Sequence, residues 1–279
     1  MIAEMQIRNY SPRTIRSYVS SLIQVFHYYQ LSPEHISLEQ FKDYLSYRIT
    51  NDKISNSTIN QAIGAWRIFQ CDILHRNWKA FQVKRPRIEK KIPRVLSQTQ
   101  ILSLLATVSN LKHYALLSLT YATGMRRNEI LHLQLKDIDS ARNMILVSQG
   151  KGHKQRQIPI HNSTLGILRE YYKKYRPTKF LFEGYKPGVR YSASSFGRIL
   201  HRASLKAKIN KRVTPHTLRH SFATHMLEKG LNLKQLQLLL GHNAMKTTSI
   251  YLHIADTSSI PIPDLLEKES KIILKQDGK

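Results

Sequence analysis

The sequence predicts a mainly α-helical protein with a small antiparallel β-sheet, laid out as a helical domain followed by a mixed α+β domain. Three observations carry this. Hydrophobic residues recur at helical spacing along most of the 279 residues. One stretch alone, 143–160, reads as a pair of short strands around a glycine-bearing turn. Between the two halves lies a run with two prolines and repeated positive charge, where the helical signals stop. Hydrophobic residues make up 41% of the chain, enough for a core in each of two modest domains and too many for a disordered polymer.

The elements follow in order. Ser11-Pro12 is a helix entry, with serine as N-cap and proline at the first helical position. Ile15, Tyr18, Val19, Leu22 and Phe26 then fall on one face. Ser37-Leu-Glu-Gln, close to a capping box, opens a second helix with Phe41, Tyr44, Leu45 and Arg48 aligned. A third starts near Ser57 or Thr58 and carries Ile59, Ala62, Trp66 and Phe69. Arg13, Arg16, Lys53 and Arg67 are left for a surface, so residues 1–85 form a basic helical bundle. Residues 86–95 complete the proline-containing basic stretch and read as an extended linker, either a solvated connector or, as the basic chain favours, one that lies against phosphates. Ser97 caps a helix over 98–108. Residues 114–123 form an apolar helix stopped by Gly124, and Arg127 begins another. Strands at 143–149 and 155–160 flank the turn Gly150-Lys151-Gly152-His153. Helical patterning resumes at Ser163, with breaks at Pro177 and across 184–188.

The formal net charge is +26, from 44 Lys+Arg against 18 Asp+Glu. That balance predicts a polyanionic partner, with nucleic acid ahead of an acidic membrane. No long apolar run or lipidation motif supports a membrane role. The single cysteine, Cys71, leaves no internal disulfide framework and no cysteine-based zinc site. Residues 1–10 lack the apolar core of a secretory signal, so a prokaryotic cytoplasm, in association with the nucleoid, is the expected location. Short basic clusters such as Lys84-Arg85-Pro86-Arg87 and Lys90-Lys91 also suit a nuclear address, on weaker grounds.

The chemistry gathers in the last quarter. Thr214-Pro215 marks a helix start, which places His216 and Arg219 three apart on one face beside a helix N-terminus that favours anions. Alone, His216 reads as a capping histidine and Arg219 as an ion-pair partner. His216 and His220 have the four-residue spacing of a helical zinc pair. However, His-Thr-Leu-Arg-His lacks the glutamate of the zinc peptidases and sets a cation between the two ligands. Leu233, Leu236 and Leu240 form a core stripe ended by Gly241, and His242 emerges next. A short helix over 247–251 then delivers Tyr251.

Taken together, His-Thr-Leu-Arg-His-Ser-Phe-Ala-Thr-His (216–225), Leu-Leu-Gly-His (239–242) and Lys-Thr-Thr-Ser-Ile-Tyr-Leu-His (246–253) resemble the signature of the tyrosine recombinases, or phage-type integrases, in their Xer-like form. Ala-Thr-Gly-Met-Arg-Arg-Asn-Glu-Ile (122–130) resembles the family's first arginine motif, and Gly-Lys-Gly-His-Lys-Gln-Arg (150–156) its hairpin motif. The resemblance implies six catalytic residues: Arg126, Lys151, His216, Arg219, His242 and the nucleophile Tyr251. The arginines and His242 would bind the scissile phosphate, His216 would accept the phenolic proton, and Lys151 would protonate the leaving 5′-oxygen. Glu129 matches the family pattern and would orient its neighbours.

The fold so implied is that of the tyrosine recombinases and type IB topoisomerases: a core-binding domain (1–85), a basic linker (86–95), a catalytic domain (96–255) and a C-terminal tail (256–279) for protomer contact. The implied partners are double-stranded DNA with inverted-repeat core sites, three further copies of the chain in a homotetramer, and accessory DNA-bending proteins; no membrane, metal or other cofactor is expected. The activity implied is site-specific recombination through a 3′-phosphotyrosine and a Holliday junction, serving integration or excision of a mobile element. Chromosome dimer resolution, topoisomerase-like DNA relaxation and non-catalytic DNA binding are the alternatives.

Overall fold

The computed structural model describes residues 1–78, 82–87, 93–148, 155–252 and 254–255. The chain divides into two compact units, Met1–Lys91 and Ile92–Lys279.

Among its described residues the first unit holds four α-helices: α1 (Ile2–Ile7), α2 (Pro12–Tyr29), α3 (Leu38–Thr50) and α4 (Asn56–Arg67). The capping signals act as read: Ser11 Oγ accepts from Thr14 N–H, and Ser37 and Gln40 form a reciprocal box. The third predicted helix starts slightly earlier than read, because Ser55 caps it by accepting from Thr58 N–H. It continues into a π-helical turn, Ile68–Ile73. Helix α1 was not foreseen, since no side chain caps it at Met1. At the centre, Phe41 and Trp66 stack with ring centroids 4.3 Å apart and planes at 7°, surrounded by Val25, Ile36, Ile59 and Ile63. Gly64 lets α2 approach α4, since a Cβ there would stand 2.8 Å from the Tyr18 hydroxyl. Phe26, expected on the core face, is substantially exposed instead. Arg13, Arg16, Lys53 and Arg67 are all exposed, and Arg67 also sits over the Trp78 ring. The described part of the predicted linker is non-helical. Its Pro86 and Arg87 carbonyls accept from Asn60 and Asn56 of α4.

The second unit opens with α5 (Gln98–Ala106), α6 (Leu111–Thr123) and α7 (Arg127–His132). A three-stranded antiparallel sheet follows in the order β1 (Ile138–Asp139), β2 (Met144–Val147) and β3 (Arg156–Pro159), with Ile145 paired to Ile158. The strands are shorter than read, and β1 is too brief to announce itself in sequence. Then come α8 (Asn162–Tyr175), α9 (Ala193–Lys206), α10 (Pro215–Glu228), α11 (Leu233–Leu240) and α12 (Met245–Thr248), with a 3₁₀ turn at Ser249–Tyr251. Helix α6 is buried on several sides because it packs against both α8 and α10, which explains its nearly continuous apolar sequence. Leu116, Ile130, Ile145, Leu168, Phe196 and Leu218 belong to the one core that unites helices and sheet. A smaller cluster of Phe222, Leu227, Leu236, Leu240 and Tyr251 carries the C-terminal elements. The architecture is thus mainly α with a small antiparallel sheet, as the sequence predicted. No helix among the described residues is long and apolar enough to cross a membrane.

Candidate active site

The site is organised around the C-terminal end of α11. The last carbonyls of a helix lack intrahelical donors and carry partial negative charge. Here arginines satisfy them. Arg156 Nε donates to Leu239 O at 2.8 Å, Arg219 Nη2 to Leu240 O at 2.9 Å, and Arg126 Nη2 to Gly241 O at 3.1 Å. Gly241 takes φ +62°, the left-handed conformation that ends the helix, and a Cβ there would stand 2.9 Å from Arg156 Nη1.

One carboxylate holds two of these arginines. Glu129, on α7 with a side chain 2% exposed, receives Arg126 Nη1 at 2.9 Å and both terminal nitrogens of Arg156 at 3.1 and 2.7 Å. Its second oxygen also accepts the Arg126 backbone N–H at 2.8 Å. Burial alone would raise the Glu129 carboxyl, but hydrogen bonds and charge from Arg156, then Arg126, hold it below its ordinary range. Three guanidiniums against one carboxylate leave the cluster positive.

Arg219 lies beneath, 3% exposed. Its Nη1 donates to Gly124 O at 2.7 Å, where Gly124 terminates α6 at φ +58°. Its Nη2 also donates to His242 Nε2 at 2.8 Å. A guanidinium has only donors, so His242 Nε2 is the acceptor and Nδ1 carries the ring proton toward Thr248 Oγ1, 2.9 Å away. Burial first, then Arg219 and Arg126, lowers His242 to about 4, so the ring is neutral at pH 7.

Tyr251 is buried at 1% exposure among Phe222, Leu236 and Leu240. Its ring lies nearly parallel to that of His242, at 12° and 6.5 Å between centroids. Burial raises the phenol, opposed by the charges of Arg219 and Arg126 that face it. The hydroxyl meets His220 Nδ1 at 2.9 Å. His216, read as its proton acceptor, stands one helical turn earlier, exposed, with its ring 6.2 Å from that of His220. Partial desolvation of the ring against its neighbours, then Arg219, Arg127 and Arg126, lowers His216. Among the described residues no cysteine, aspartate, glutamate or further histidine joins the two rings in a group of three metal-binding side chains.

The fold therefore brings together Arg126, Arg219, His242 and Tyr251, with His216 at the exposed edge. Lys151 lies outside the described residues, as do the rest of its turn and the tail from residue 256. Sequence reasoning gave no role to Arg156 or Thr248. Arg156 stood inside the quoted hairpin motif, but its pairing with Glu129, 27 residues away, has no local signature.

Comparison with known proteins covers both units of the chain. The family described as "Phage integrase family" matches residues 94–258, and "Phage integrase, N-terminal SAM-like domain" matches 1–80. A Sinorhizobium fredii protein whose name includes integrase/recombinase is 36% identical over 256 residues, covering 91% of this chain and 83% of its own. A tyrosine recombinase of Thermosipho africanus is 32% identical over 262 residues, covering 90% of this chain and 92% of its own. Among solved structures, the XerH site-specific recombinase in its post-cleavage complex with palindromic difH substrate superposes with a TM-score of 0.73. It is 23% identical, over 97% of this chain and 83% of that one, and shows the likeness of fold.

Proposed function

This chain belongs to the phage integrase family, the tyrosine recombinases, and on that premise we propose that it cuts and rejoins double-stranded DNA at a specific site through a 3′-phosphotyrosine. The observation that carries the reading is the gathering of Arg126, Arg219 and His242 around Tyr251, with the charges of Arg219 and Arg126 acting on its hydroxyl and the His242 ring facing its ring. In-line attack on a phosphodiester adds charge to the non-bridging oxygens. The uncompensated guanidinium charge of the cluster meets that increase without a metal. Attack forms the bond from Tyr251 Oη to phosphorus and breaks the bond from phosphorus to the 5′-oxygen. The phenolic proton passes to His216, whose exposed ring borders the arginines. The 5′-oxygen takes a proton from Lys151. His242 donates to the phosphate once a phosphate oxygen replaces its Arg219 contact and the ring proton shifts to Nε2.

The phosphotyrosine conserves the energy of the broken strand, so a second 5′-hydroxyl reseals it without ATP. Four copies acting on paired inverted-repeat sites would exchange strands in two steps through a Holliday junction, for integration or excision of a mobile element, with the tail from residue 256 joining protomers.

The direct test uses nicked suicide duplexes carrying the DNA that flanks this chain's own coding sequence. The wild-type protein is expected to form a covalent adduct at Tyr251. Tyr251→Phe should bind the same DNA with unchanged affinity and form none. An adduct mapped to another tyrosine would overturn the assignment.

A further inference from the structure

The hydroxyl of Tyr251 is held by a histidine outside the six motif positions. His220 Nδ1 lies 2.9 Å from it, and both groups sit on rigid supports. His220 follows Arg219 on α10, where the three contacts of Arg219 to Gly124 O, Leu240 O and His242 fix the helix against two other elements. The phenol ring is packed by Phe222 and Leu240 and faced by the His242 ring. The tyrosine is therefore held on its face by one histidine and at its tip by another.

The direction of the hydrogen bond follows from the charges. Arg219 and Arg126 face the phenol oxygen and draw its lone pairs toward them. The hydroxyl proton then points the other way, to an unprotonated Nδ1. We infer that His220 is a positioning residue that accepts the Tyr251 hydroxyl and aims its lone pairs toward the phosphate, a role that rests on Tyr251 being the nucleophile. Burial, His216 and Arg219 push His220 down to about 4, so its ring is neutral at pH 7 and a weak base. It therefore orients the hydroxyl through this hydrogen bond without being protonated at rest. Orienting a nucleophile in this way acts on the chemical step and leaves DNA binding alone.

Single-turnover cleavage of the nicked suicide duplex tests this with His220→Leu, His220→Asn and Tyr251→Phe beside the wild type. An asparagine amide oxygen can occupy the place of Nδ1, whereas leucine only fills space. His220→Leu should cleave ~10- to 100-fold more slowly with its DNA affinity within ~3-fold of wild type, and His220→Asn should recover to within ~5-fold. Melting temperature and DNA affinity report whether each variant is folded. Wild-type cleavage by His220→Leu, with Tyr251→Phe inert, would overturn the role of His220 while leaving the nucleophile intact. Equal losses in the leucine and asparagine variants would do so too, because they would show a packing role only. Absence of an adduct in the wild type would remove the recombinase reading and this one with it.

Discussion

At the scale of single residues, the site has traded proton affinity for neutrality. His220 and His242 are both pushed to about 4 by burial and neighbouring cations, whereas an unfolded chain offers histidines near 6.5. Between those values the unfolded state binds protons that the folded state refuses, so stability rises with pH across that window and is lost as pH falls through it. The melting temperature should therefore fall steadily from about pH 6.5 to about pH 4, and go on falling below that as Glu129, held below its ordinary range by Arg156 and Arg126, takes up its proton. In His220→Asn the slope should be shallower by the share of one histidine; an unchanged slope would show that His220 is not buried in its neutral form. The candidate site residues were readable because their types and order are a pattern in themselves, and the fold sets Arg126, Arg219, His242 and Tyr251 near one another. What was not readable is which of two histidines meets the phenol. His216 and His220 lie four apart on the same face of α10, and the choice depends on where the Ser249–Tyr251 turn docks, a tertiary fact. Arg156 escaped for a similar reason, since its partners come from α7 and the end of α11.

At the scale of elements, helix ends do the positioning. Arg126 is the N-cap of α7 and Arg219 lies in the second turn of α10. His242 is the residue released when Gly241 stops α11. The stop sets three carbonyls in reach of three arginines. Gly241→Ala would impose a β-carbon on a backbone at φ +62° and push it against Arg156. The left-handed conformation costs an alanine about 1–2 kcal/mol, so the unfolding free energy should drop by about that much. Displacement of Arg156 and of the Gly241 carbonyl should also slow cleavage by ~10-fold or more, by the measure that a misplacement near 1 Å costs ~100-fold. A variant that loses stability but keeps the wild-type cleavage rate would show that the carbonyl cluster does not set the arginines. Caps and stops of this kind were legible from Ser11, Ser37, Ser97, Gly124 and Gly241, each a local signal. Helix α1 and strand β1 were not, because one has no capping side chain and the other spans two residues.

At the scale of the whole molecule, the excess of positive charge is the property that needs no fold to be read. A net +26 on 279 residues exceeds what one active site can use. Beyond the arginines that the α11 carbonyls and Glu129 engage, Arg13, Arg16, Lys53 and Arg67 are exposed on the helical unit. If these and similar side chains lie against phosphates, binding releases the counterions condensed on the duplex. The association constant then falls with a log–log salt slope of about 0.9 per phosphate neutralised. For a protein making about 6–10 such contacts, affinity should drop ~10³- to 10⁵-fold between ~50 and ~200 mM salt. Fluorescence anisotropy on a labelled duplex measures it. Tyr251→Phe should give the same slope, because a neutral phenol contributes no counterion release. Arg13→Gln combined with Arg67→Gln should flatten the slope by up to ~2 contacts while cleavage of saturated DNA stays at the wild-type rate. A salt-independent affinity would show that the charge serves something other than the phosphate backbone. A double variant that binds normally but no longer cleaves would place those two arginines in the chemistry.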